Sequence, residues 1–431
     1  MNKVFIICTN FYPVRDGGSI RGEKLVKYLP LFGWNSVVLT KKNNKTNRSF
    51  DIINSTRVYR TRQLDLASFL FSIKINLYKI FISKKNNNLK KPEDILPVNK
   101  RRISQYFLLP DSDIFWALLA TFKGFFILKK EKPKAVFSSS PYHSVHIVGL
   151  LLKKIFKTYW IVEFRDPWTT NPFNIPKPFK ILTYLDNYLE KTVLKNADII
   201  NVTSSEYKTQ FINKYPFLIN KKITNIPNGF DPDYFNIKIN TENSVFTVVH
   251  TGNFYQHRSS VQFIKSVIYL FENSLIKEGN LLVKFIGVVD KEGIKIINSS
   301  KFKKSFLLLG FIDHHKCIKE IKSADLLLLI PGPGIGTVPG KFYEYLATEK
   351  PIFCISNEGP PKRYIEKYGL GLVSNDSKIS VIANNLNKLI KSIQKNKFKY
   401  PDISDLKKKF NRKFIARDMA RIFEKKNKYI I

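Results

Sequence analysis

Short, nearly continuous apolar runs alternate along this chain with segments whose apolar residues recur at helical spacing. The runs predict buried parallel strands, and the periodic segments predict helices packed on them. KVFIICT at Lys3–Thr9 opens the series; a glycine-containing loop and helix follow in NFYPVRDGGSIRGEKLVKYLPLFGW, and the next strand falls at Asn35–Thr40. From Lys134 the alternation resumes, with strands in AVFSSSP, TYWIVEFRDPW and DIINVTSS and helices in YHSVHIVGLLLKKIF, TYLDNYLEKTVLKNA and EYKTQFINKY. ITNIPNGFDPDYF, rich in Asn, Gly and Pro, marks a boundary near residue 236. The second half repeats the order through VFTVVHTG, LLVKFIGVV, SFLLLGFI, DLLLLI, PIFCIS and GLGLVS. Its tail, FNRKFIARDMARIFEKKNKYII, carries apolar residues at helical spacing. The fold class is therefore α/β, with two parallel Rossmann-like, doubly wound domains facing across a cleft. Their expected limits are 1–236 and 237–410, with 411–431 packing back as a helix.

The segment 41–115 breaks this regularity. NRSFDIINSTRVYRTRQLD suggests an extended piece or hairpin, and Lys84–Arg102 is a polar, basic, proline-punctuated part of an excursion over about 60–130. Two aromatic stretches, Phe69–Lys85 and Ile114–Lys130, are interrupted by Lys74 and Lys79 and by Lys123. Neither is an uninterrupted membrane span. Both fit basic amphipathic helices in a bilayer interface, and both fit core-facing helices with snorkelling lysines.

A chain of 431 residues exceeds one ordinary core, and 44% hydrophobic residues argue against disorder. The formal net charge of +38, from 72 basic and 34 acidic residues, favours polyanionic partners. Those basic residues are mostly lysine and spread throughout, which fits an anionic membrane surface better than nucleic acid. Three scattered cysteines form neither a disulfide framework nor a zinc cluster and fit a reducing, cytoplasmic compartment. His146, His250, His257, His314 and His315 show no metal-ligand spacing, so no metal is expected.

Candidate chemistry concentrates in PGPGIGTVPGKFYEYLATEKP, Pro331–Pro351, directly after the apolar run SADLLLLI. A strand, a glycine loop and a helix N-terminus leave backbone N–H groups for an anion. Lys341 and Glu344, three apart, share a helix face there. A cation beside phosphates and a carboxylate accepting two hydroxyls suit a nucleotide-sugar; a plain strand-to-helix connection with a surface ion pair fits equally. Gly17 and Gly18 fall where a first βα turn meets ligand, and also where a turn needs glycine.

Taken in order, NFYPVRDGGSIRG, SSSPYHSVHIVGLLLKK, VEFRDPW, ADIINVTSSEY, IPNGFDPDYF, HTGNFYQHR, LGFIDHHKCIKEIKSADLLLLI and PGKFYEYLATEKPIF resemble the two-Rossmann (GT-B) glycosyltransferases. Within that fold the chain most resembles the family 4 sugar transferases of bacterial surface-polysaccharide synthesis. The resemblance covers nearly the whole chain. It implies transfer of a sugar from a nucleotide-sugar to an acceptor hydroxyl, with retention and without a metal or other cofactor. The donor would bind mainly to the second half and the acceptor to the first.

Carried over by position, Arg258 takes the place of a diphosphate-binding lysine six residues after Gly252, while Asn253 stands where the family has an arginine. Glu344 matches the ribose-binding glutamate of a Glu-x7-Glu pair whose first member is replaced by Gly336. The loop Gly336, Thr337 and Val338, with Lys341, would then carry more of the phosphate contact. Gly17 and Gly18 match the loop facing the donor phosphates. His143 resembles a histidine near the transferred sugar, although a helix-capping histidine reads the same way. Asp166 would orient the acceptor hydroxyl, Arg165 would either pair with it or reach an acceptor phosphate, Arg21 would lie on the acceptor side, and Glu163 would be structural. These expectations amount to a cytoplasmic, membrane-peripheral enzyme acting on a polyprenyl-phosphate-linked glycan for O-antigen, capsule or exopolysaccharide. Two other classes stand beside it: a nucleotide-sugar-binding protein without turnover, and a polyanion-binding protein on a Rossmann scaffold.

Overall fold

The structure is a computed structural model that describes all residues except 15–16, 43–47, 54, 64–106, 173, 175, 238–243, 255–257, 333, 335, 376–377 and 425–431. The stretches Phe69–Lys85 and Lys84–Arg102, and His257, lie outside the described residues.

Contacts divide the chain into two units, the first comprising Met1–Thr203, Tyr207–Ile226 and the residues from Ala416 on, the second Ser204–Glu206 and Pro227–Ile415. The passage at Ile226–Pro227 precedes the boundary expected near 236. Phe230 is buried in a second-unit core and Tyr234 and Phe235 pack against it, so the Pro- and Asn-rich loop belongs to that unit. The tail's residues divide between the units at Ile415/Ala416.

Unit 1 runs β1 (Asn2–Ile7), α1 (Gly17–Tyr28), β2 (Trp34–Lys41), β3 (Phe50–Ile53), β4 (Thr56–Thr61), α2 (Ile114–Glu131) and β5 (Ala135–Ser139). It continues through α3 (Ser144–Phe156), β6 (Trp160–Phe164), α4 (Lys180–Asn196), β7 (Ile199–Val202), α5 (Ser205–Lys214) and β8 (Ile223–Asn225). The strands order β3-β4-β2-β1-β5-β6-β7-β8, parallel except for the β3–β4 hairpin. Residues 4–7 of β1 and all of β5 and β6 are buried, which is why each reads as an apolar run instead of an alternation. At Gly149 an added Cβ would run into the Trp160 indole; glycine lets α3 lie directly on β6.

The core-facing reading describes Ile114–Lys130. Trp116, Ala117, Ala120, Gly124, Ile127 and Leu128 of α2 are buried, and Lys132 ends the helix in the left-handed region at φ 47°. The opposite face nevertheless exposes Leu118, Phe122 and Phe126.

Unit 2 contains β9 (Phe246–Thr251), α6 (Val261–Glu272), β10 (Leu281–Ile286), α7 (Lys291–Ser299), β11 (Phe306–Gly310), α8 (His314–Ser323) and β12 (Leu326–Leu329). After these come α9 (Gly340–Thr348), β13 (Ile352–Ile355), α10 (Pro360–Tyr368), β14 (Gly371–Ser374), α11 (Ile379–Gln394) and α12 (Ser404–Phe410), then α13 (Arg412–Phe423), which belongs to unit 1 from Ala416 on. The order β11-β10-β9-β12-β13-β14 is parallel throughout. Each sheet reverses its winding once, between β1 and β5 and between β9 and β12. Those reversals open crevices at the carboxyl ends of the strands, where doubly wound sheets take ligands.

Candidate functional site

At the second reversal, β9 runs into Gly252 and β12 into the glycine-rich turn before α9. Lys341, in the first turn of α9, reaches back so that its Nζ donates to His250 Nε2 at 3.0 Å. His250 is fully buried; its Nδ1–H donates to the Leu328 carbonyl at 3.0 Å, and its ring stacks on Phe254 with centroids 4.2 Å apart. Burial, with Lys341 and Arg258 close by, holds His250 well below the usual histidine range, so the imidazole is neutral. Burial and then the Arg258 charge bring Lys341 down to about 7, against the opposing pull of Glu344 and Cys317.

Two glycines make room for these cations. Gly252 adopts φ 96°, and a Cβ there would lie 3.3 Å from Lys341 Nζ. Gly332 adopts φ 77°, and a Cβ would stand 2.7 Å from Arg258 Cγ and Nε. Any other residue would be strained in backbone and would crowd the cation. Arg258, Lys341 and Gly252, named separately from the sequence, thus come together.

Other expected donor residues lie differently. One turn along α9, Glu344 accepts from His314 Nε2 at 3.1 Å, and the His314 ring meets Tyr234 edge-on at 4.6 Å. A ribose would therefore have to share this carboxylate with His314. Asn253 accepts through Oδ1 from the Val288 N–H at 2.9 Å, so its side chain ties the end of β9 to the turn after β10. Gly336 is buried, Val338 packs against the core and Thr337 lies beside Gly334, leaving Lys341 as the charged group of that loop and first turn.

Unit 1 gathers Gly17, Gly18, Arg21, His143, Arg165 and Asp166 on the segments that follow β1, β5 and β6. Gly17 and Gly18 form the first turn of α1 instead of a loop. Arg21 and Arg165, expected to face an acceptor, are engaged by the protein itself. Arg21 pairs with Glu163 through Nη2 at 2.6 Å and Nε at 3.0 Å, and donates to the Ile226 carbonyl at 3.1 Å. Glu163, wholly buried, also accepts from Ser139 Oγ at 2.6 Å and Asn201 Nδ2 at 2.8 Å. Burial alone would raise this carboxyl, but Arg21 and the hydrogen bonds bring it below its usual range. Arg165 donates from Nε to the Ser140 carbonyl and from Nη1 to the Gly18 carbonyl at 2.9 Å. It clasps the ends of β5 and β6 to the start of α1, and burial lowers its pKa.

His143 caps the N-terminal side of α3 without a side-chain cap bond and stacks on Trp168 at 5.0 Å and 4°. Burial pushes it down to about 3 against a hydrogen bond to the Pro167 carbonyl, while Nδ1 has no partner. It is a neutral hydrogen-bonding group, not a cation. Trp168 is held in turn by its Nε1–H donating to Asp186 at 2.9 Å. Asp166 has its pKa raised by burial against the opposing Arg165 charge. Among the described residues no three His, Cys, Asp or Glu side chains cluster as a metal site.

His250, Phe254, Trp168 and His314 escaped sequence reasoning. The signal for His250 was present: a polar residue inside the apolar run VFTVVHTG, just before a glycine at a strand's carboxyl end. Nothing local marks His314 as the partner of a side chain 30 positions on.

No protein-family model matches the sequence, and no curated protein matches it. Solved structures do. The chain is similar to sucrose-phosphate synthase from Thermosynechococcus elongatus, with TM-score 0.68, 14% identity and 98% of each chain covered. A glycosyltransferase from Rickettsia africae matches with TM-score 0.62 and 13% identity, covering 98% of this chain and 97% of that one. Anabaena HepE, solved in complex with UDP and glucose, matches with TM-score 0.62 and 13% identity over 98% and 99%. The fold is that of the GT-B glycosyltransferases, two Rossmann-like units each built on a parallel sheet.

Proposed function

We propose that this chain is a glycosyltransferase that moves a sugar from a nucleotide-sugar to an acceptor hydroxyl. One observation carries the reading: Arg258 and Lys341 stand together at the β9/β12 reversal, with Gly252 and Gly332 making room for them. As the glycosidic C–O bond breaks, negative charge grows on the departing diphosphate, and pre-placed cations lower that barrier. A guanidinium engages phosphate oxygens bidentately, and an ammonium adds a point charge. Glu344 would take the ribose hydroxyls while sharing its carboxylate with His314. In unit 1 the neutral His143 would hydrogen-bond the transferred sugar, and Asp166 would orient the acceptor hydroxyl. Retention of anomeric configuration and independence of a metal belong to this proposal, through the family 4 resemblance.

The acceptor we favour is a polyprenyl-phosphate-linked glycan of O-antigen, capsule or exopolysaccharide synthesis, met at the cytoplasmic face of an anionic membrane. In support, α2 exposes Leu118, Phe122 and Phe126 beside Lys123, Lys129 and Lys130, and α4 exposes Ile181, Tyr184 and Tyr188. The net charge of +38 suits the same surface. Among the described residues no helix is long and apolar enough to cross a membrane.

Calorimetric titration with UDP-, GDP- and dTDP-sugars, first without and then with Mg²⁺, tests the donor site. Selective binding of one nucleotide without added metal supports the reading and names the base. Absence of binding across the panel, repeated with a membrane mimic, would refute it. Sugar release or transfer by the same preparation separates an enzyme from a protein that only binds nucleotide-sugars.

A further inference from the structure

The donor-site reading leaves His250 without a role, yet its ring is fixed on both nitrogens and one face. Its backbone lies in β9, its Nδ1–H is fixed by the Leu328 carbonyl at 3.0 Å, and its ring is clamped against Phe254. With Nδ1 carrying the hydrogen, Nε2 presents a lone pair, and Lys341 Nζ sits on it at 3.0 Å. A lysine side chain has four rotatable bonds and considerable freedom to lose on being positioned. We propose that His250 is a positioning residue: its neutral imidazole, locked in the Nδ1–H tautomer, holds the Lys341 amine over Gly252 where a diphosphate would bind.

This inference rests on the donor-site reading and deepens it. A buried lysine normally resists ionisation, and a neutral acceptor lets the amine stay in place whether or not it carries the third proton. The groups facing Lys341 are His250 on β9, Arg258 in the segment after β9, Glu344 on α9 and Cys317 on α8. Burial keeps His250 neutral and pushes the Cys317 thiol up to about 12. Neither of these two changes charge near neutral pH while Lys341 does.

Two measurements on the full chain test the proposal. Ring-nitrogen NMR of the histidine-labelled protein, assigned through His250→Gln, should show an Nδ1–H tautomer for His250 that does not titrate between about pH 6 and 9. Its Nε2 signal should shift in Lys341→Met. In calorimetry with inorganic pyrophosphate and with the nucleoside diphosphates, His250→Phe should weaken binding by roughly tenfold or more, the value of a hydrogen bond to a charged group. His250→Gln, which returns an acceptor near the Nε2 position, should restore most of that loss. An Nε2–H tautomer in the wild-type protein overturns the proposal even if the phenylalanine variant fails to fold. Wild-type affinity in a folded His250→Phe overturns it as well. Failure of the donor-site reading has a different signature: the unsubstituted protein binds none of the probes, and the positioning role falls with it.

Discussion

On the proposed donor-site reading, Lys341 makes binding depend on pH in a way that ordinary lysines do not. In the free protein its amine titrates at about 7, because burial and the Arg258 charge both disfavour the ammonium. A bound diphosphate brings negative charge to the same spot and restores the ammonium, so binding takes up a proton. Below the free-protein value the amine is already charged and affinity is level. Above it, each pH unit lowers apparent affinity about tenfold, or ~1.4 kcal/mol. From pH 6 to 9 the expected loss is therefore roughly a hundredfold, capped where the neutral amine's residual binding takes over. The ligand should be a nucleotide-sugar, whose diphosphate lacks the secondary ionisation that a terminal phosphate shows near about pH 6. Calorimetry in two buffers of different ionisation enthalpy then reads the proton count directly. Lys341→Met should flatten the profile at the weak end, and Lys341→Arg should flatten it at the strong end. Equal affinity at both ends of that range in the wild-type protein, or a slope that survives Lys341→Met, would refute the reasoning. Asp186 and Asp111, both raised to about 6 by burial, titrate in unit 1, so the variant and not the slope alone is decisive.

Four other outcomes are expected. Arg258→Ala should lower kcat/KM about a hundredfold to a thousandfold with an unchanged unfolding midpoint, as loss of a transition-state charge partner does; near-wild-type turnover would remove Arg258 from the mechanism. Glu344→Ala should weaken nucleotide binding about tenfold, as befits a lost charged hydrogen-bond acceptor, and unchanged affinity would undo the ribose assignment. Glu163→Gln should destabilise unit 1 by roughly 3–5 kcal/mol in denaturant titration, because it strands the buried Arg21; a loss under ~1 kcal/mol would mean the pair is not structural. The double change Phe122→Glu and Phe126→Glu should abolish flotation with vesicles of anionic lipid while leaving nucleotide binding intact, and undiminished flotation would take α2 out of any membrane contact.

Strand positions were legible because parallel strands are buried on both faces, so VFII in β1 and LLLL in β12 could only be apolar. Composition marked the loop at 227–237 as a break but could not say which core would take it; the answer lay in Phe230, Tyr234 and Phe235. For charged residues the limit was sharper. Arg21 stands close to a glycine pair and reads as a ligand group, yet its partner Glu163 lies 142 positions away. A guanidinium facing ligand and one closed by a buried carboxylate look identical in sequence. The Asn253 bond to Val288 was equally invisible, since it depends on how β9 and β10 end side by side. Arg258, Lys341 and Gly252 were found because strand, glycine and helix start fall in fixed order around a reversal, and local order is what sequence records.

The two strand-end edges handle cations in opposite ways. In unit 1 Arg21 meets a buried carboxylate and Arg165 meets two backbone carbonyls. In unit 2 Arg258 acts on Lys341 with like charge, and Lys341 hydrogen-bonds to a neutral imidazole instead of an acid. Glu344, the carboxylate that favours the ammonium, is itself paired with His314. Burial first, and the Arg258 charge second, hold the Lys341 ammonium below its usual range. On the proposed donor-site reading a diphosphate gains from cations already in place, whereas Arg21 and Arg165 already make hydrogen bonds within the protein.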